Sequence, residues 1–411
     1  MLLSATMDGE PGARGSVLEV FGAFLRLGLT SFGGPIAHLG YFRTEFVERR
    51  RWMADADYAD LVALCQFLPG PASSQVGFAI GAHRAGMRGA LAAFVGFTAP
   101  SAIAMVAFAF GARLFDGPVG QAILSGLQIV AVAIVAQAVW GMARTLTPDR
   151  SRAGIAVAAA VIALAAPGSL GQVAAIAVGA IAGTILCRGA TGTAGGLRLR
   201  VRRSVALTCL ALWALLLLGS PVLAEATGIG GIRLFDAFFR AGALVFGGGH
   251  VVLPLLQAGV VDTGWVSASQ FLAGYGAAQA VPGPLFTFAG YLGAVSTVGP
   301  GGVWGALIAL GAIFLPGFLL LVGILPFWNR LRSRPGMQAA MRGASAAVVG
   351  ILAAALYTPV FTTAITGPGP FCLALVCFVL LTAWRLPPWA VVIVGAVGGV
   401  LLLGVERLTL G

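Results

Sequence analysis

Arg26 and Arg240 each lie in an otherwise apolar stretch, about two helical turns before a glycine break: Phe32-Gly33-Gly34-Pro35 in one case, Phe246-Gly247-Gly248-Gly249 in the other. A guanidinium in such surroundings is costly, about 2.5–3.5 kcal/mol at the centre of a membrane helix, and is retained for a counter-charge or a ligand. Asp236 stands four residues before Arg240 and can pair with it on one helix face, whereas Gly22 holds the corresponding place before Arg26. Arg26 is therefore the arginine left for an anion. Arg240 is either its companion or the structural partner of Asp236.

The breaks offer a second source of positive potential. Proline removes a helix hydrogen bond and glycine takes backbone angles other residues avoid, so a helix interrupted there must restart. Its first N–H groups are unpaired and form the positive end of the helix dipole, which favours an anion. Restarts are predicted near Ile36, Ala72, His250 and Leu285, after the glycine breaks and after Leu68-Pro69-Gly70-Pro71 and Val281-Pro282-Gly283-Pro284. The hydroxyls and amides nearby, including Thr287, bind an oxyanion without losing a proton, although small polar residues also serve helix packing in membranes. The candidate anion site comprises Arg26, Thr30, Ser31, Gly33, Gly34, Gln66, Gly70, Ser73 and Ser74 from one part of the chain. Arg240, Gly247, Gly248, His250, Gln279 and Gly283 come from the other.

Other chemistries find little support. All 25 basic residues are arginine, which removes amine chemistry such as a Schiff base. Glu45 and Glu48, beside Arg43 and Arg49 to Arg51, read as a solvated loop, and Asp55, Asp57 and Asp60 as the start of a helix. His38 and His250 follow the glycine breaks, and His83 adjoins Arg84. No HExxH or GxSxG occurs, so no metal centre, catalytic residue or cofactor is expected. Cys65, Cys187, Cys209, Cys372 and Cys377 lie in apolar stretches without CxxC and read as small buried hydrophobes.

The elements that must position these residues occur twice. Phe21, Phe24, Arg26, Gly28, Phe32, Gly33 and Gly34 recur at an offset of 214 as Phe235, Phe238, Arg240, Gly242, Phe246, Gly247 and Gly248. Trp52, Gln66, Pro69, Gly70 and Pro71 recur at 213 as Trp265, Gln279, Pro282, Gly283 and Pro284, and Pro100 and Trp140 match Pro316 and Tyr357. Two homologous halves follow, residues 17–187 and 232–405, with tails 1–16 and 406–411. Between them, residues 188–231 comprise an arginine-rich linker and an unmatched apolar segment near 204–224. Each half opens with two broken segments. Plain spans follow near 88–114, 118–143, 153–166 and 170–187 in the first half and 302–327, 339–361, 370–384 and 388–405 in the second.

Of the 411 residues, 59% are hydrophobic and 9% charged, against about 25% charged in soluble domains. This is the composition of an all-α polytopic membrane protein. The net charge of +11 then reflects arginines in cytoplasmic loops and not a nucleic-acid partner. If the broken segments are re-entrant, nine spans cross, and 19 arginines lie on the N-terminal side against 3 on the other. If all four cross, thirteen spans result and the split is 15 to 7. The positive-inside rule favours re-entrant hairpins, with the N-terminus cytoplasmic and the C-terminus outside. No removable signal peptide is expected. An odd number of crossings separates the starts of the two halves, so the repeats have inverted topology.

The stretch from Phe24 to Pro35, the Glu45-Phe46-Val47 to Trp52 segment and Gln66 to Pro71 closely resemble the chromate ion transporter family in its long, two-half form, as do Phe246 to His250, Leu253-Pro254, Trp265 and Gln279 to Pro284. The resemblance covers nearly the whole chain. It implies export of chromate, a dianion similar in shape to sulfate, through the cell inner membrane, driven by the membrane energy gradient. The residues themselves point to an anion and leave open a transporter for sulfate or another oxyanion, or a passive anion channel. Besides the lipid bilayer no partner is indicated. The coupling ion and the oligomeric state, homo-oligomer included, stay open.

Overall fold

The computed structural model describes residues 15–111, 117–187, 201–246, 249–331 and 334–410. In the first half, α1 (Val17–Thr30) stops at the glycine break, and α2 (Gly34–Phe42) continues through a π turn at Arg43–Arg49. α3 (Asp55–Phe67) ends at Leu68, and α4 (Ala72–Gly111) restarts after Pro71. Within α4 the backbone leaves helical geometry at Ala85 and Gly86, dividing a short first part from a long second part. α5 (Pro118–Leu146), α6 (Arg150–Ala165) and α7 (Ser169–Leu186) complete the half, and α8 (Arg203–Thr227) is the unmatched helix.

The second half repeats the plan. α9 (Gly230–Ala243) leads to a 3-10 turn (Gly249–Val251) and α10 (Val252–Val260); α11 (Ala268–Ala278) leads to a second 3-10 turn (Leu285–Thr287) and α12 (Phe288–Val295). α13 (Gly302–Ile324), the single turn α14 (Trp328–Leu331) and α15 (Pro335–Ala355) follow. The chain closes with the short α16 (Thr362–Ala364), then α17 (Pro368–Thr382) and α18 (Pro388–Leu410).

The broken segments are hairpins. The start of α1, the end of α2 and the end of the first part of α4 converge, because Glu19 lies 3.8 Å from Arg50 and 3.3 Å from Arg84. Trp52, just before α3, receives Arg84 over its ring at 5.2 Å, and its carbonyl accepts from His83 Nε2 at 3.1 Å. The second half builds the same corner from other residues. Arg233 lies 5.4 Å over Trp265, whose carbonyl accepts from Thr297 N–H at 3.0 Å.

The two corners lie on opposite faces. From Gly86 the second part of α4 passes Gly28 of α1, which sits on the backbone of Gly96 and Phe97. It reaches Tyr291 with Phe108, whose ring centroid is 5.5 Å away, and Gly302 with Phe110. A helix of that length rises about 37 Å, enough to span a bilayer. The repeats therefore have inverted topology in space as well as in sequence.

Among the described residues six helices are long and apolar enough to cross a membrane: α4, α5, α8, α13, α15 with its extension to Ala364, and α18. The other expected spans, α6, α7 and α17, are helices of 16, 18 and 15 residues. Leu215, Leu218 and Val222 of α8, Ile181 and Ile185 of α7, and Ile393 and Leu401 of α18 face outward. So many exposed aliphatic side chains fit lipid and not water. With lipid outside, close packing must hold the helices together. Gly126 of α5 meets Gly395 of α18, and Gly183 of α7 meets Gly343 of α15, so backbones approach where a side chain would keep them apart.

Candidate functional site

The hairpin tips of the two halves meet in the interior, and each tip hydrogen-bonds to the other half. Gly70 N–H donates to the Val245 carbonyl at 2.8 Å, and Gly283 N–H donates to the Ser31 carbonyl at 2.9 Å. Gly70 and Gly283 are repeat counterparts, as are Ser31 and Val245. Pro35 and Gly249, also counterparts, touch each other, which puts the pseudo-two-fold relation between them. Gly33, Gly34, Gly70 and Gly283 have φ of 102°, 76°, 121° and 104°, the left-handed region that glycine occupies without strain.

Ser31, Ser73 and Ser74 are buried at this junction. The Ser31 carbonyl also accepts from His38 Nε2 at 3.3 Å, which assigns the ring proton to that nitrogen. The hydroxyls of Ser31, Ser74 and Thr98 and the Nε2 of Gln279 are buried without a hydrogen-bond partner. Such groups are normally satisfied, and several unsatisfied at one junction mark a place that can receive a polar ligand. They are neutral donors, suited to an oxyanion. Among the described residues no three His, Cys, Asp or Glu side chains gather.

Other expected residues stand apart from this cluster. Arg26 and Thr30 are exposed on α1, with the Thr30 hydroxyl donating to the Arg26 carbonyl at 2.8 Å. Arg240 pairs with Asp236 at 2.7 Å, and that carboxylate also accepts from Ser220 of α8 at 2.6 Å. Gln66 is exposed and lines a cavity between the end of α3 and α15. His250 Nδ1 meets the Tyr275 hydroxyl at 2.7 Å. Gly247 and Gly248 lie outside the described residues.

Three sequence expectations change. Restarts are predicted near His250 and Leu285, yet both residues lie in single 3-10 turns and the α-helices begin at Val252 and Phe288. Each prolongs its tip before the helix begins. Glu45 is buried and not in a solvated loop: it accepts from Arg50 Nε at 2.6 Å and from Arg49 Nη1 at 2.9 Å. Burial alone would raise its carboxyl, but these bonds hold it below its ordinary value. Cys372 is exposed, unlike Cys65, Cys187 and Cys377.

Gln75 was not singled out by the sequence. It is fully buried, and its Nε2 donates to the carbonyls of Pro69 at 3.1 Å and Gly317 at 2.9 Å, tying the first tip to α13. The available signal is an amide four residues after Pro71 in an apolar run.

The repeated, inverted architecture has a counterpart in known sequences. A family profile described as chromate transporter matches residues 18–186 and again 232–400. The chain belongs to the chromate transporter family. Within this family it is 30% identical over 359 residues to a chromate transport protein of Pseudomonas aeruginosa, covering 85% of this chain and 82% of the relative. It is 27% identical over 385 residues to a probable chromate transport protein of Synechococcus elongatus, covering 92% and 93%. An uncharacterized transporter of Methanocaldococcus jannaschii is 25% identical over 347 residues, covering 82% and 83%. No solved structure matches the chain. The two profile segments coincide with the two hairpin-bearing halves, so each half of this chromate transporter family member is one family unit. The family is one of transporters and not of enzymes.

Proposed function

We propose that this protein is a secondary transporter that exports chromate across the inner membrane by alternating access around an anion site between the hairpin tips. The observation that carries this reading is the crossed pair of hydrogen bonds, Gly70 to Val245 and Gly283 to Ser31. Through it each half forms part of the other half's wall. In inverted repeats, rocking one half against the other exchanges two related conformations and exposes a midplane site to each side in turn.

The unsatisfied hydroxyls of Ser31, Ser74 and Thr98, with the Gln279 amide, supply neutral donors to a tetrahedral oxyanion. The ends of broken helices add only about half a charge each, which does not balance a dianion. Arg240 is committed to Asp236. Arg26, exposed on α1 five residues before Ser31, is the arginine this reading assigns to the balancing charge. The arginine-rich loops support a cytoplasmic face for Arg50 and Trp52, and on this reading loading from that face is export.

Everted membrane vesicles test the substrate. Labelled chromate is expected to enter, with sulfate competing weakly. Sulfate entering faster than chromate would move the reading to a sulfate transporter.

A further inference from the structure

The tips of Gly70 and Gly283 are repeat counterparts, but the walls they close on are unlike. A Cβ at Gly283 would stand 2.9 Å from the Ser101 hydroxyl and 3.3 Å from the Phe97 carbonyl, so this tip lies against one polar turn of α4. Ser31, Thr98 and Ser101 are 1%, 5% and 1% exposed. Ser101 donates to the Thr98 carbonyl at 3.1 Å, and the Thr98 hydroxyl has no hydrogen-bond partner. Ser31 meets the same tip. Its carbonyl accepts from both Gly283 N–H and His38 Nε2, while its hydroxyl is unpartnered. Gln279 Nε2, four residues before Gly283, is a further buried donor without an acceptor.

The counterpart wall is filled. Pro100 and Pro316 set the local offset at 216, which puts Phe314 in the place of Thr98 and Gly317 in that of Ser101, as Val245 stands in that of Ser31. The Phe314 ring lies 5.0 Å from Phe94 and 5.8 Å from Phe286, and Phe318 stacks on Phe78 at 4.4 Å. The Gly70 tip itself closes on Gly317, and Gln75 occupies the Pro69 and Gly317 carbonyls. Even the paired hydroxyls differ: Ser74 is unpartnered, whereas its counterpart Thr287 donates to the Pro284 carbonyl at 2.8 Å. The arginines divide in the same way, since Arg240 has Asp236 and Arg26 has Gly22 at the corresponding place. An aromatic wall offers an oxyanion no donors, and the hydroxyl wall offers several.

We infer that the junction holds one oxyanion per chain, off the pseudo-two-fold, between the Gly283 tip and the turn of α4 from Phe97 to Ser101. Ser31, Thr98 and Ser101 bind it through their hydroxyls and Gln279 through its amide. The Ser101 hydroxyl turns its hydrogen from the Thr98 carbonyl to the ligand, a rotation that costs one neutral hydrogen bond and gains a stronger one to an anion. Phe314 and the rings around it close the related place beside the Gly70 tip to a second anion. This inference rests on the oxyanion-transport reading above and adds to it the side, the number and the donors of the site.

Equilibrium dialysis of labelled chromate, and separately of labelled sulfate, against the purified full-length protein tests it without transport. Binding of the preferred anion should saturate at one per chain. Thr98→Val, which keeps the shape and loses the hydroxyl, and Ser101→Ala should each weaken it at least about tenfold, the loss expected for a hydrogen bond to a charged group. Thr98→Ser, which keeps the hydroxyl, should stay within about threefold of the parent, and Phe314→Leu within about twofold. Saturation at two anions per chain, no saturable binding of either anion, or a Thr98→Val protein that binds as tightly as the parent would each overturn the site. So would equal losses in Thr98→Val and Thr98→Ser, which would assign Thr98 to packing. Everted vesicles separate this site from the transport reading. Chromate export with an unchanged KM in Thr98→Val and Ser101→Ala removes the site and leaves the transport reading standing. Single-site binding that both variants weaken, without export by the parent, keeps the site and removes the transport reading.

Discussion

Gly70 of the first half and Val245 of the second are joined by a 2.8 Å backbone hydrogen bond, and their repeat counterparts, Gly283 and Ser31, by one of 2.9 Å. The bonds run in opposite directions between the halves, so neither tip is complete without the other half. Duplication of a hairpin unit in inverted orientation produces such a crossed pair, because a contact between unlike positions must then occur twice.

Glycine is required at both donors. The φ of 121° at Gly70 and 104° at Gly283 costs any other residue about 1–3 kcal/mol. A Cβ at Gly70 would stand 3.0 Å from the Gly317 Cα, and one at Gly283 would stand 2.9 Å from the Ser101 hydroxyl. Gly70→Ala and Gly283→Ala should each reduce chromate transport at least tenfold while protein remains in the membrane. Parental rates in vesicles of equal protein content would place the anion site elsewhere.

Arg26 is the test of charge balance. Arg26→Ala should lose transport nearly completely, and Arg26→Lys should retain part of it with weaker apparent affinity, because lysine keeps the charge and loses the fork. Arg240→Ala should be milder per molecule, since its partner is Asp236. Transport rates normalised to membrane abundance check the series; near-normal export by Arg26→Ala would assign that arginine a structural role.

Topology can be read chemically. Thr44 and Thr263 are both exposed, in the corresponding returns of the two inverted hairpin units. In a protein otherwise free of cysteine, Thr44→Cys should resist an impermeant thiol reagent added outside intact cells and Thr263→Cys should react. Labelling of both from outside would contradict the opposed hairpins.

The Glu45 corner predicts a pH dependence. Its carboxyl is held below the ordinary 4.5 by Arg50 and Arg49, so the folded state binds its proton less readily than the unfolded chain. The resulting stability is present in full above that value and is lost as pH falls through the lower folded-state value. Thermal midpoints of the purified protein should fall on acidification below about pH 4.5, and Glu45→Gln should make that part of the fall shallower. An identical profile for the variant would remove Glu45 from the account.

Much of this architecture was legible because broken helices leave unmistakable residues. Gly33, Gly34, Pro69 and Gly70, with their copies, specify where helices stop, and the arginine distribution favours re-entrant over crossing segments. Helix periodicity carries less about which face of α1 meets another element: the sequence places Arg26 and Ser31 at one break, and the structure exposes one and buries the other. The Asp236 to Arg240 pair was readable from its spacing of four. The role of Gln75 was not, since it depends on a contact with α13 that lies 242 residues away.

Active export through the junction of the tips is tested most directly by chromate accumulation in everted vesicles. Energised wild-type vesicles should bring internal chromate above the external concentration, lose the excess on addition of an uncoupler, and show no accumulation when Gly283 is replaced by alanine. Equal internal and external chromate with and without the uncoupler would describe a passive channel and contradict the account.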